Sequence, residues 1–157
     1  MALDMFLKLD GIAGESTNKG HKDEIEVLSF SWGVSNSSEI GAQGRRRGRS
    51  TPSDINFVMR SNKATPLLFK ACATGRHLKQ GLFVIEKAGE QPFAFYKVTL
   101  TDVLVSSFQA SGSEEEVTDA FSLAFRTLRI EEIEQTPKGT PGESVAAAFD
   151  FVRRRSL

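Results

Sequence analysis

Apolar and polar positions alternate along most of this chain, and that period-two pattern predicts a mainly β protein. Met5–Leu9 reads as a short first strand. Between Glu24 and Trp32, Ile25 and Val27 share one face while Leu28, Phe30 and Trp32 share the other. Neighbouring residues of a strand point to opposite sides, so this strand carries apolar groups on both faces, with a bulge near Val27–Leu28. Its three large terminal side chains must be covered, and Trp32 is expected to be buried. Ile55, Phe57 and Met59 alternate with Asn56, Val58 and Arg60, as in a half-buried strand. Further strands are predicted at Leu82–Glu86, Phe93–Val105, Asp119–Glu134 and Val145–Val152. In the third of these, Phe121, Leu123 and Phe125 form the apolar face.

One segment has helical spacing. Thr65 is placed as N-cap, Pro66 as the first helical residue and Gly75 as the left-handed C-terminal stop. Leu68, Phe69 and Cys72 would form its buried stripe. The connections are polar: Gly14–Lys22, a hairpin turn at Gly89–Pro92, an acidic turn at Ser111–Glu116 and Thr136–Gly142. The longest connection, 33–54, has no apolar periodicity and is read as one extended loop. Many short strands with one small helix predict a barrel of two packed antiparallel sheets, the helix on its flank. A barrel is favoured over an open sandwich because strand edges need pairing.

Composition narrows the options. A chain of 157 residues fits a single domain over 1–157 with a core that needs no staples. Twenty basic and twenty acidic residues cancel, which disfavours a dedicated nucleic-acid binder. One cysteine excludes an intrachain disulfide framework. The N-terminal residues lack a secretory apolar core, and no apolar run approaches the about 18 residues of a membrane span. Cytoplasmic synthesis is the expectation.

Candidate chemistry is sparse. His21, His77 and Cys72 are scattered and lack the spacing of a metal site. No serine occupies a nucleophile elbow, and Gly41–Gly44 lacks the lysine of a phosphate-binding loop. No catalytic, cofactor-binding or metal-binding residue is therefore assigned. The local charges stand out instead: Arg45, Arg46, Arg47 and Arg49 against Glu114, Glu115 and Glu116. Both runs also read as ordinary solvated loops. No aromatic residue lies between Gly33 and Ile55, which argues against base stacking.

Several segments taken together resemble the Hcp family, the haemolysin-coregulated tube proteins of type VI secretion. They are LDGIAGES (Leu9–Ser16), HKDEIEVLSFSWG (His21–Gly33), NKATPLLFKACATGRHL (Asn62–Leu78), VTLTDVLVSS (Val98–Ser107) and, more loosely, FSLAFRTLRIEEIEQ (Phe121–Gln135). The resemblance implies a non-enzymatic subunit of homo-hexameric rings that stack into a tube. It also implies small effectors in the lumen, sheath and spike proteins as partners, and export without a signal peptide. Segment 33–54 would then reach toward the next ring, with Arg45, Arg46, Arg47, Arg49 and Glu114–Glu116 as the expected stacking residues. The arginine run is not part of the family pattern. The alternative is a monomeric β-barrel module that binds an anionic ligand through Arg45–Arg49.

Overall fold

The computed structural model describes residues 2–37, 40–41, 44–45 and 49–157, with backbone alone for 40, 41, 44 and 45. The core strands are β1 (Leu3–Leu9), β2 (Ile25–Val27), β3 (Ser29–Ser31), β8 (Ile55–Arg60), β9 (His77–Lys87), β10 (Phe93–Gly112), β11 (Val117–Ala124), β12 (Thr127–Gln135) and β13 (Pro141–Asp150). Between β3 and β8 come β4 (Val34–Asn36), β5 (Ile40–Gly41), β6 (Gly44–Arg45) and β7 (Ser50–Pro52), and the chain ends in β14 (Arg155–Ser156). Helix α1 covers Ala64–Thr74.

The main sheet runs in the order β14-β13-β12-β10-β11-β8-β3, with β9, β1 and β2 branching from β10. All its pairings are antiparallel. The mainly β prediction with one helix holds, but the hydrogen-bonded ladder does not close as a barrel. The gap is spanned by the strand read as Glu24–Trp32. It breaks at Leu28, so that β2 pairs with β1 while β3 pairs with β8, and the Leu28 amide donates to the Val58 carbonyl. This break is the predicted bulge, and it resets the alternation. Ile25 and Val27 are buried and Phe30 and Trp32 pack half-buried against the same core, but Leu28, expected to be covered with them, is turned outward and 38% exposed because the break puts it on the solvent side. Phe57 is the hub of that core. It stacks on Phe121 at 5.4 Å and meets Phe83 edge-on at 5.2 Å, the separations at which aromatic pairs attract beyond their buried area.

Several boundaries differ from the sequence pattern. The stretch Asp119–Glu134 is two strands, separated at Phe125–Arg126, where the Arg126 amide donates to the Thr101 carbonyl. Strand β9 begins five residues earlier than the apolar run that revealed it, because His77–Gly81 alternates too weakly to read. The helix starts before its expected cap. Lys63 is the N-cap, the Ala64 amide donates to Asn62 Oδ1, and Thr65 Oγ1 instead donates to Asp119 Oδ2 at 2.5 Å. Gly75 does adopt the left-handed stop, with φ 66°. Of the expected stripe only Leu68 is fully buried. Ala64 and Ala71 complete it, Cys72 is half-buried, and Phe69 is 60% exposed, edge-on to Phe108. Trp32 is half-buried, its indole N–H donating to the Tyr96 hydroxyl at 3.1 Å.

Candidate assembly surfaces

Residues 33–54, read as a loop, contain two antiparallel pairs: β4 with β7, and β5 with β6. The segment is thus an arm of paired strands outside the main sheet. Its base is fixed by the Gly33 amide donating to Ser53 Oγ at 2.8 Å, and by the Ser53 amide donating to the Gly33 carbonyl. Among the arginines expected here, Arg45 lies in β6 opposite Ile40, and Arg49 is exposed, its amide held by Ser37 Oγ at 3.1 Å. Arg46 and Arg47 lie outside the described residues.

The acidic residues Glu114, Glu115 and Glu116 form the exposed turn between β10 and β11. Ser113 Oγ accepts from the amides of Glu115 and Glu116. Glu116 also pairs with Arg60 at 3.4 Å. Among the described residues, no contact joins this turn to Arg49 of the arm. The arm base adjoins Ile55, the first residue of β8, and the acidic turn adjoins Arg60, the last. Over six extended residues these points stand about 17 Å apart. The base of the arm and the acidic turn therefore sit at opposite ends of β8.

A second exposed feature is an edge. Strand β13 pairs with β12 on one side, but on its other side the C-terminal end covers only Ala148–Asp150, through β14 and the Leu157 amide. Residues 141–147 are exposed on both faces, with Val145 at 69%. Long, flat, partly apolar edges recruit further strands. The sequence pattern placed a strand at Val145–Val152 and a loop at Thr136–Gly142; the strand instead starts at Pro141 and ends at Asp150, and nothing in the pattern marks it as an edge.

The polar interior contains groups the sequence did not single out. His21, expected in an exposed loop, stacks on Phe6 at 4.2 Å and lies between two carboxylates, Glu24 at 3.0 Å and Glu86 at 2.8 Å. Burial lowers its basicity, but the hydrogen bonds to Glu86 and Glu24 and their charge outweigh it, so its pKa is raised above 6.5. His77 is exposed and pairs with Asp102 at 3.0 Å. Asp119, expected near a strand end, is fully buried at the start of α1, and its second oxygen has no protein partner. Among the described residues no group of three His, Cys, Asp or Glu side chains is placed to hold a metal, and no helix is long and apolar enough to cross a membrane.

Comparison with known proteins places this arrangement. A family profile described as "Type VI secretion system effector, Hcp" matches residues 6–131. Protein hcp1 of Pseudomonas aeruginosa is 37% identical over 135 residues, 83% of each chain. The crystal structure of Hcp1 from Salmonella typhimurium superposes with a TM-score of 0.86 at 34% identity over the full length of both chains. The structure of a type six secretion system protein superposes with a TM-score of 0.92 at 27% identity, over 99% of this chain and all of that one. The monomeric anion-binding module is not favoured by any of these. With the profile, the relative and the fold in agreement, the chain belongs to the Hcp family of type VI secretion tube proteins.

Proposed function

We propose that this protein forms homo-hexameric rings that stack into a tube, and that it acts as a structural conduit and not as an enzyme. The observation that carries this reading is the unpaired edge of β13 beside its exposed Val145. A neighbour that continues the sheet at that edge would satisfy its backbone groups. A contact between two different surfaces of the same chain closes into a ring when the rotation per copy closes. Small effectors would travel in the lumen, with sheath and spike proteins as outer and terminal partners. Synthesis in the cytoplasm and export without a signal peptide follow from the same reading. The arm and the acidic turn would act between rings, Arg45, Arg46, Arg47 and Arg49 on one face and Glu114, Glu115 and Glu116 on the other.

Native mass is the test. The expected species is about six times the 17.2 kDa chain mass, and Val145→Lys at the edge should shift it to a folded monomer. A wild-type protein that remains a monomer at every concentration overturns the reading.

A further inference from the structure

The end of the molecule opposite the arm holds a groove of about 680 Å³. It opens where β2 leaves β1 and β8 ends, and its rim carries Asp4, Glu15 and Glu26, all exposed. The one arginine in its lining, Arg60, is engaged by Glu116 from the acidic turn. Leu3 and Leu28, 48% and 38% exposed, give it an apolar floor. The groove is open and its lining carries net negative charge, three carboxylates against one arginine.

The arm end carries more positive charge than the arm alone. After β13 the chain reverses at Asp150, a carboxylate 3% exposed. Asp150 Oδ1 accepts from the amides of Val152 and Arg153 at 3.0 and 2.9 Å, and Oδ2 accepts from Arg126 at 3.3 Å. The reversal turns Arg153, Arg154 and Arg155 outward and carries Arg154 to the Ser50 carbonyl in β7, 3.5 Å away. Arg49 is the next residue along the arm. The C-terminal arginines and the arm thus form one basic face in a chain of zero net charge.

We infer that the basic face formed by Arg49 and Arg153–Arg155 docks into the acidic groove of a second copy, so that stacked copies are joined head to tail. This rests on the proposed stacking of rings and names its two surfaces. Because the faces lie at opposite ends of β8, head-to-tail contact brings opposite charges together. Head-to-head contact would oppose like charges. The buried Asp150 is a positioning residue for this face, since it holds the turn that aims the tail.

Two charge-reversed proteins test the inference. One carries Asp4→Lys, Glu15→Lys and Glu26→Lys; the other carries Arg153→Glu, Arg154→Glu and Arg155→Glu. Each should form rings of wild-type mass and lower the stacking constant by roughly tenfold or more, since three exposed pairs become repulsive. Mixed, the two should stack in strict alternation, because each offers the face the other lacks. Electron microscopy and sedimentation read both results, and the milder set Asp4→Asn, Glu15→Gln and Glu26→Gln decides if a reversed protein fails to fold. Normal stacking of either reversed protein alone, or a mixture that stays unstacked, overturns the groove assignment while leaving the ring intact. Wild-type rings that never stack overturn the stacking itself, and a wild-type monomer overturns the proposed function.

Discussion

At the scale of single residues, His21 gives the clearest pH dependence. Its imidazole can give a hydrogen bond to both Glu24 and Glu86 only when doubly protonated, which is why its pKa is raised. A group whose folded pKa exceeds its unfolded value adds stability below the unfolded value, and loses that contribution as pH rises through the folded one. The destabilisation caused by His21→Gln, measured by denaturant unfolding, should therefore be larger at pH 5.5 than at pH 8.5. Equal losses at both would show that the imidazolium contributes nothing. Cys72 is half-buried and bridges no partner, so Cys72→Ala should cost about 1 kcal/mol or less and leave native mass unchanged. Trp32→Phe removes the indole donor to Tyr96 and should cost about 0.5–1.5 kcal/mol. A wild-type emission maximum between those of buried and free tryptophan would match the half-buried ring.

At the scale of elements, the start of α1 depends on a contact from a distant strand. Thr65 Oγ1 donates to Asp119 Oδ2, on a side chain with no exposure. Thr65→Val should cost about 1.5–3 kcal/mol, because it strips a buried carboxylate of its hydroxyl donor. Thr65→Ser should restore most of that. The C-terminal reversal behaves differently. The Arg153 amide leads in holding the Asp150 carboxyl below its usual 3.8, burial opposes it, and Arg126 and the Val152 amide add to the lowering. A depressed pKa gives stability that is present above 3.8 and fades as pH falls through the folded value. Hydrogen exchange over 150–157 should accelerate in Asp150→Asn at neutral pH, and in the wild type only in strong acid. A tail already unprotected at neutral pH would remove the structural basis for the basic face.

At the scale of the whole molecule, charge separation should make assembly depend on salt. Exposed pairs are screened over about 8 Å at physiological ionic strength, whereas the proposed edge pairing through β13 would bury backbone hydrogen bonds and Val145. Raising salt should therefore unstack rings before it dissociates them. Loss of ring mass at lower salt than loss of stacking would reverse the assignment of polar and apolar contacts to the two interfaces.

The mainly β class, the break near Val27–Leu28, the helix stop at Gly75 and the family were legible in the sequence, because period, turn chemistry and local backbone preference are short-range properties. The strand number was not, since Asp119–Glu134 is two strands and residues 33–54, read as one loop, hold four more. Leu28 shows this well: Ile25 and Val27 are one residue out of phase with Phe30 and Trp32, so all four reach one core only because the alternation breaks between them. Tertiary structure alone decided which edge stayed open, since the apolar run Val145–Phe149 of β13 reads like that of an interior strand and only its neighbours mark it as an edge. It also decided that Phe69 faces solvent while Ala71 is buried, because the neighbour of a helix face is set by strands far along the chain. The carboxylates around His21 come from positions 24 and 86, and the tail meets the arm across 104 residues. Spacing carries no record of such pairings, which arise only when the sheet wraps around Phe57 and brings distant strands together.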